Sequence, residues 1–255
     1  MKKLMIIAHR GASNEAPENT LASFRRAVEI GADAIEFDVF ATSDHHLMVH
    51  HDYYLERTTN GKGFIENHTL AQLKKLDAGN WFSPEFKGEK IPTLEEVLDF
   101  GKGKCRFEIE LKSTSERFLD NIINTIEKFN LKNEVEFTSS HQPLLSRLKQ
   151  LKHNFVAGVF FLPRPDWMEP IMWSKQVVDY LTLLNAKVAH IPHSSVDTTI
   201  VKMLHKSSYR IHAADCNFRN EIERVIKLGV DQLSTKKVEL AIRVRKKWER
   251  SVYGK

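Results

Sequence analysis

The stretch IEFDVFATSDHHLMVHHD, residues 35–52, places two carboxylates inside an apolar run and ends in a His-Asp pair. Side chains two residues apart on a strand share a face, so Glu36 and Asp38 are expected to project together. Both come near the carboxyl end of the run. The stretch therefore predicts a buried strand with polar chemistry at one end.

Similar β-rich runs recur along the chain and alternate with segments of helical periodicity. The eight strand-like runs are residues 4–8, 34–40, 105–111, 135–138, 155–161, 180–184, 209–213 and 230–234. The clearest helical segments are residues 18–30, 116–129 and 220–228. Strands that are apolar throughout are typical of parallel sheets covered on both faces, so eight such units predict an α/β fold, the TIM (β/α)8 barrel. A doubly wound open sheet is the alternative.

The interval between the second and third barrel strands breaks this rhythm. After an exposed turn at His45 and His46, a short extra strand is expected at residues 47–51. Residues 52–90 are interpreted as a small inserted subdomain between strand 2 and helix 2, and residues 94–100 as helix 2. Insertions at the carboxyl ends of barrel strands frequently cover the active site. The chain of 255 residues is predicted to be a single domain.

Composition excludes several classes of protein. The chain is 42% hydrophobic and 28% charged, which argues against disordered and collagen-like proteins.

The start MKKLMIIAHRG has too short an apolar run for a signal peptide, and no run reaches the ~20 residues of a membrane span. No stable membrane insertion is expected. Cys105 and Cys216 provide no disulfide framework, which favours a reducing, cytoplasmic location.

The net charge of +5 is concentrated at one end of the chain. Residues 236–255 contain eight Lys or Arg and two Glu, so the rest of the chain is close to neutral. This distribution argues against nucleic-acid binding. Four apolar residues recur there at helical spacing and predict a terminal helix with one packed face. They are Ala241, Val244, Trp248 and Val252. Attraction to anionic lipid or an acidic partner is the alternative.

The third barrel strand repeats the acidic pattern of the second. In FEIELK, Glu108, Glu110 and Lys112 share one face. With Glu36 and Asp38, four carboxylates are then expected to converge at one end of the barrel, where desolvation and repulsion are costly. A hard divalent cation, Mg²⁺ or Ca²⁺, would resolve this, because oxygen ligands suit both. Pairing of the acids with Lys or Arg is the alternative.

Cationic and titratable side chains are expected at the same rim. His9 and Arg10 end the first strand, and Arg10 offers a bidentate donor that suits phosphate, with Lys112 as a second cation. His9 and His51 can serve as acid and base near neutral pH. Together with a metal, this set predicts phosphoryl chemistry.

Five ordered motifs resemble the glycerophosphodiester phosphodiesterase family. They read AHRGASNEAPENTLASF, GADAIEFDV, VHHDYYLERTTNGKG, IPTLEEVL and EIELK. The resemblance implies a TIM barrel with a small inserted subdomain and one divalent cation. The implied site residues are Glu36, Asp38 and Glu110 for the metal, His9 and His51 for acid-base catalysis, and Arg10 and Lys112 for the phosphate. His51 is preferred to His50 because the family His directly precedes Asp.

The resemblance also implies a reaction on a small-molecule phosphodiester. The glycerol 2-hydroxyl would attack the phosphodiester, one histidine taking its proton and the other protonating the departing alcohol. Water would then open the cyclic phosphate to give glycerol 3-phosphate. Two alternatives stay open: a lysophospholipase D acting on single-chain lysophospholipids, and a catalytically silent barrel that serves as a binding module.

Several positions depart from the family pattern. The usual Ser-Phe after the fourth strand reads Ser140-His141, and the usual Trp-Thr after the seventh reads Ala214-Asp215. Lys236 stands where Asp is usual, and Glu108 where the family is typically neutral. These changes affect the rim, so they bear on glycerol specificity.

Two further groups of residues have alternative interpretations. Glu18, in the segment PENT, either opens helix 1, where an acid favours the helix dipole, or contacts the site. The aromatic and apolar residues after the fifth strand either pack against helices or line an acyl groove. These are Phe160, Phe161, Leu162 and Trp167.

Overall fold

The computed structural model describes residues 3–115, 117–151 and 154–254. In these ranges nine strands form one sheet. They are β1 Met5–Ala8, β2 Ala34–Ala41, β3 Leu47–Val49, β4 Arg106–Leu111, β5 Val135–Ser139, β6 Val156–Phe160, β7 Val188–Pro192, β8 Arg210–Ala214 and β9 Gln232–Thr235. β3 pairs antiparallel with β2, and the other eight strands are parallel. β1 pairs with both β9 and β2 and closes the ring, which confirms the predicted TIM barrel.

Eight of the nine helices in the described residues follow barrel strands and cover the outside of the ring. The nine helices are α1 Leu21–Ile30, α2 Leu70–Leu73, α3 Leu94–Gly101, α4 Phe118–Phe129, α5 Gln142–Gln150, α6 Pro170–Leu184, α7 Thr198–Lys206, α8 Arg219–Leu228 and α9 Val238–Tyr253. The short α2 lies in the segment between β3 and α3. The predicted helix 2 is α3, and the predicted helix 116–129 is α4, with Glu116 outside the described residues. One continuous hydrophobic core lies between the ring and the helices.

The strand predicted at residues 180–184 is wrong, because these residues form the last turns of α6. Leu181 and Leu184 are buried while Leu183 is 67% exposed, a helical rather than an alternating pattern. Asn185 ends the helix in the left-handed conformation, at φ 52°. The barrel strand is instead β7, whose sequence VAHIP is short and interrupted by His190.

The helix predicted from residue 18 begins three residues later. Thr20 is the N-cap of α1: its side chain accepts the N–H of Ser23, and the Ser23 side chain accepts the N–H of Thr20. Glu18 therefore precedes the helix rather than opening it, and is free to pair elsewhere.

The segment between β3 and α3 packs on a small hydrophobic cluster of its own. Its buried members are Phe40, Met48, Leu55, Ile65, Leu73, Ala78 and Ile91. Phe40 and Met48 come from the β2–β3 hairpin, so the cluster attaches the segment to the carboxyl end of β2. His45 and His46, in the turn of this hairpin, are exposed as predicted.

The terminal helix α9 packs on the barrel through fewer residues than predicted. Ala241 and Val244 are buried, but Val252 is 45% exposed, because the end of the helix extends past the core. Arg245 is buried instead, and donates to the backbone oxygen of Leu4 and to Asp33. No helix in the described part of the chain has the length and apolar character needed to cross a membrane.

Candidate active site

The first strand carries a tight turn to the carboxyl end of the barrel. β1 ends at Ala8, and the chain then reverses with Arg10 at φ 56° and Gly11 at φ 80°. A Cβ on Gly11 would lie 2.3 Å from Ser23 Oγ, so the turn needs glycine. The backbone N–H of Arg10 donates to Glu36 Oε2 at 2.8 Å, which connects the turn to the acidic residues of β2.

Three carboxylates meet beside this turn. Glu36 and Asp38 lie on β2 and Glu110 on β4, where Asp38 and Glu110 are paired in register. One carboxylate oxygen from each residue lies within 4.8 Å of the other two. The structure therefore brings together the three residues that were predicted to bind a metal.

The charges in this group strongly perturb its pKa values. Burial and then Asp38 raise the pKa of Glu36 well above its usual value, and they raise the pKa of Glu110 to about 6. For Asp38, burial acts in the same direction, but Lys112 and other positive charges nearby lower its pKa. Buried oxygens that repel one another are a donor set that fits a hard divalent cation.

The two predicted phosphate-binding cations lie directly against these carboxylates. Lys112 Nζ is 2.8 Å from Glu110 Oε1 and 3.2 Å from Asp38 Oδ1. Arg10 Nε is 3.6 Å from Asp38 Oδ2. The pairing of acids with Lys and Arg, the alternative to a metal site, is thus present in the same place. The carboxylates still outnumber the cations.

His9 lies between a carboxylate of the barrel and one of the rim. Its Nε2 is 3.9 Å from Glu36 Oε2, and its Nδ1 is 3.4 Å from Asp215 Oδ1. Burial and then the charge of Arg10 lower the pKa of His9 to about 4. The imidazole is therefore neutral near pH 7 and able to accept a proton.

His51 is oriented by the aspartate that follows it. Its Nδ1 lies 2.5 Å from Asp52 Oδ1, and the backbone N–H of the preceding residue, His50, donates to the backbone oxygen of Asp38 at 3.0 Å, which holds this part of the chain beside the carboxyl end of β2. His50 differs: it is buried, and its Nε2 lies 3.3 Å from the backbone oxygen of Tyr54. His51 thus has the more accessible ring and the carboxylate partner.

Arg57 connects the segment after β3 to the turn before α1. Its guanidinium donates to Asp52 and to both carboxylate oxygens of Glu18, at 2.7 and 3.1 Å. Glu18 also accepts from Arg10 Nη1 at 3.0 Å. Glu18 therefore holds Arg10 through Nη1, while Asp38 lies near its Nε.

Asn19 has a role that sequence reasoning missed. Its Nδ2 donates to Asp38 Oδ2 at 2.9 Å, and its side chain is buried. The residue has φ 57°, a conformation that asparagine tolerates better than most residues. An asparagine directly before an N-cap threonine was the available signal.

Glu108 corrects the prediction that four carboxylates converge. It shares a strand face with Glu110, but it lies one step closer to the amino end of the barrel. It is the register partner of Glu36, and its charge helps to raise the pKa of Glu36, but its carboxylate groups with His190 and His212. The group formed by Glu108, His190 and His212 was missed because β7, the strand that contains His190, was not predicted.

The rim departures from the family pattern surround this group. Ser140 Oγ donates to Glu110 Oε1 at 3.3 Å, and His141 Nε2 lies 2.8 Å from the hydroxyl of Tyr53. Asp215 contacts His9, and the charge of Lys236 helps to lower the pKa of His9. Ser140, Asp215 and Lys236 thus each contact, or are electrostatically coupled to, Glu110 or His9.

Comparisons with known proteins agree on one family. A model of the glycerophosphoryl diester phosphodiesterase family matches residues 9–240. A glycerophosphodiester phosphodiesterase of Caldanaerobacter subterraneus is 34% identical over 249 residues, 96% of this chain and 99% of its own. One from Bacillus subtilis is 33% identical over 263 residues, 96% of this chain and 87% of its own.

Solved structures give the same result. A glycerophosphodiester phosphodiesterase from Agrobacterium tumefaciens superposes with a TM-score of 0.84 at 25% identity, covering 94% of this chain and 99% of its own. A phosphodiesterase from Oleispira antarctica, solved with the product sn-glycerol-3-phosphate, gives a TM-score of 0.83 at 28% identity, covering 94% and 96%. The chain therefore belongs to the glycerophosphoryl diester phosphodiesterase family and is a phosphoric diester hydrolase.

Proposed function

We propose that this enzyme hydrolyses glycerophosphodiesters to glycerol 3-phosphate and an alcohol, with one divalent cation, Mg²⁺ or Ca²⁺. The observation that carries the proposal is the meeting of Glu36, Asp38 and Glu110 at the rim that also holds His9 and His51. Burying these mutually repelling carboxylates is costly, and a divalent cation would offset that cost.

Glu36, Asp38 and Glu110 would hold the cation, and Asn19 would orient Asp38. When bound, the cation supplies charge neutralisation for the phosphate and lowers the pKa of the attacking hydroxyl. Arg10 and Lys112 lie beside the same oxygens and donate to the non-bridging oxygens of the phosphate. With the phosphate held in this way, the two histidines would flank the phosphorus atom.

The two histidines would move the protons. His9, neutral in its buried position, takes the proton of the glycerol 2-hydroxyl as its oxygen forms a bond to phosphorus. His51 gives a proton to the alcohol oxygen as its bond to phosphorus breaks. In the second step the roles reverse: His51 takes a proton from water as the water oxygen forms a bond to phosphorus, and His9 returns a proton to the 2-oxygen as its bond to phosphorus breaks and the cyclic phosphate opens.

The direct test is a metal-replete assay on several glycerophosphodiesters, coupled to detection of glycerol 3-phosphate. Chelation and Asp38→Asn are each expected to reduce turnover by a factor of about 100 or more. His46→Ala, in the exposed turn, is the matched control and should keep full activity. Turnover that survives both chelation and Asp38→Asn would refute the proposal.

Exposed apolar residues favour a second candidate, a lysophospholipase D. Leu162 and Trp167 follow the carboxyl end of β6 and are 84% and 79% exposed. Phe161 packs near Tyr180 instead, at 6.4 Å between ring centroids. If an acyl chain binds at this loop, Leu162→Ser with Trp167→Ser should reduce turnover of lysophosphatidylcholine and leave that of glycerophosphocholine unchanged. Equal effects on both would refute this candidate.

We also propose a cytoplasmic location. Cys105 and Cys216 are unpaired, and burial raises the pKa values of their thiols to about 11 and 12, so neither is reactive. Such cysteines suit a reducing compartment. Fractionation of the cells that produce the protein tests this.

A further inference from the structure

A second group of potential metal ligands lies inside the barrel, below the active site. Glu108 comes from β4, His190 from β7 and His212 from β8, and each is at most 3% exposed. One ligand atom from each residue lies within 4.8 Å of the other two. The group shares no residue with the carboxylates of the active site.

The separations in this group match a small coordination sphere. Glu108 Oε2 is 3.3 Å from His212 Nδ1, and Glu108 Oε1 is 3.6 Å from His190 Nδ1. Ligand atoms bonded at about 2.0–2.1 Å to a tetrahedral zinc ion are roughly 3.3–3.4 Å apart. The two contacts use different oxygens of Glu108, so the side chains can hold a small ion once they close around one of these oxygens.

The surroundings of His190 resemble the outer shell of a metal site. Its Nε2 lies 2.8 Å from Glu136 Oε1, and Arg210 Nη2 donates to the other oxygen of Glu136 at 3.2 Å. A histidine that donates one ring nitrogen to a carboxylate presents the other nitrogen to a metal. Gly158 makes room for the ring, since a Cβ there would lie 2.3 Å from His190 Nε2.

Several polar atoms of the group lack a hydrogen bond. Among the described residues, Glu108 Oε2, His190 Nδ1 and His212 Nε2 are buried without a hydrogen-bond partner. Each such atom costs about 1–3 kcal/mol if it stays unsatisfied. The lone pairs of Glu108 Oε2 and His190 Nδ1 are unused, which is the second sign of a ligand. The His212 nitrogen that faces Glu108, Nδ1, lies 3.2 Å from Gln232 Nε2 and would exchange this contact for the ion.

We propose that Glu108, His190 and His212 bind a zinc ion inside the barrel, in addition to the active-site cation. Two imidazoles and one carboxylate favour zinc over Mg²⁺ or Ca²⁺. The ion would join β4 to the neighbouring pair β7 and β8, which β5 and β6 separate from β4 in the sheet. Its role is structural, because its ligands lie below the reacting groups.

Access from solvent to the proposed zinc site is narrow. At the amino end of the barrel, a cavity of about 10 Å³ is lined by Glu108, Glu136 and Arg210, among others, and the Arg210–Glu136 ion pair lies across it. Such a cavity holds one water molecule at most. The zinc ion is therefore expected to enter while the chain folds and to exchange slowly afterwards.

The test measures zinc content, so it does not depend on the proposed activity. Full-length protein produced in zinc-supplemented medium is dialysed against EDTA and analysed by inductively coupled plasma mass spectrometry. Wild type and Glu110→Gln should retain about one zinc ion per chain, and the double variant His190→Gln/His212→Gln at least tenfold less. Circular dichroism checks that the variants fold.

Diffraction from wild-type crystals provides a measurement that needs no variant. An anomalous peak at the zinc edge between Glu108, His190 and His212 is expected. The proposal is overturned if wild type refolded in excess ZnCl₂ retains no zinc after EDTA, or if zinc is found only at Glu36, Asp38 and Glu110. In either case the cluster is a metal-free hydrogen-bonding network.

Discussion

At the scale of single residues, two imidazoles at one rim have different surroundings. His9 is neutral because burial and Arg10 lower its pKa to about 4, whereas the Nδ1 of His51 is bonded to Asp52. A neutral ring suits the base of the first step, and a ring anchored through Nδ1 can present Nε2 to a leaving group. The two roles can be separated by the choice of leaving group.

A substrate with a p-nitrophenyl leaving group should distinguish the acid from the base. This leaving group departs without a proton, so it makes a general acid unnecessary. His51→Ala should lose roughly 100-fold or more on glycerophosphocholine, but in the first turnover of the p-nitrophenyl ester it should release p-nitrophenol nearly as fast as wild type, whereas His9→Ala should be impaired on both. The first turnover is measured because opening of the cyclic phosphate still needs His51. Rescue of His9→Ala instead would reverse the assignment, and rescue of neither would argue against this acid-base pair.

Asn19 allows a test that separates a hydrogen bond from a backbone conformation. Asn19→Gly removes the donor to Asp38 yet suits φ 57°, whereas Asn19→Ala removes the donor and strains the backbone. If Asn19 orients a metal ligand, both variants should weaken Mg²⁺ binding by about 10-fold or more in calorimetry. Weakening in Asn19→Ala alone would assign the effect to the backbone.

At the scale of elements, the strands and helices that a local sequence pattern determines could be predicted. Seven of the eight barrel strands were placed correctly because their apolar runs are bounded by turns or helices. Residues 180–184 were misplaced because a run of five residues does not distinguish a strand from the buried face of a long helix. His190 hid the true strand, since a polar residue in the barrel interior breaks the apolar run.

The partners of each side chain were harder to predict than its strand. Alternation placed Glu108 and Glu110 on one face, but the tilt of barrel strands puts them in different layers. Glu110 consequently faces Asp38, and Glu108 faces His190 and His212. Ion pairs from distant segments, such as Arg57 with Glu18, depend on tertiary structure and have no local signal.

The attachment of the segment after β3 to the rim gives a prediction at this scale. Arg57→Ala removes the donor shared by Asp52 and Glu18, so His51 and Arg10 should be held less firmly. Turnover should fall about tenfold with little loss of thermal stability, since the guanidinium is 45% exposed. Lys87→Ala, an exposed change in the same segment, should have no effect. Equal activity of the two variants would contradict a positioning role.

At the scale of the whole molecule, the buried carboxylates couple stability to pH and to metal. Burial raises the pKa of Glu110 to about 6, so its contribution to stability is complete below about pH 4.5 and is lost as the pH rises through 6. Glu36 acts in the same direction. The contribution of His9 to stability changes with pH in the opposite direction. Because its pKa is lowered, this contribution grows as the pH rises from about 4 to 6.5.

A comparison with and without Mg²⁺ at each pH isolates the carboxylates. A bound cation replaces the protons of Glu36 and Glu110, so the rise in Tm caused by MgCl₂ should be small at pH 5 and several degrees at pH 8. Differential scanning fluorimetry measures it. Asp38→Asn, which weakens the site, should reduce the rise at pH 8. A rise that does not change with pH would contradict the coupling.

The position of β1 between β9 and β2 also has a consequence for biosynthesis. A nascent chain can present His9, Glu36 and Glu110 long before residue 232 leaves the ribosome, but one edge of β1 then has no partner. An open edge of this kind invites pairing with other chains. A product truncated before β9 should therefore aggregate rather than persist as a half-active enzyme.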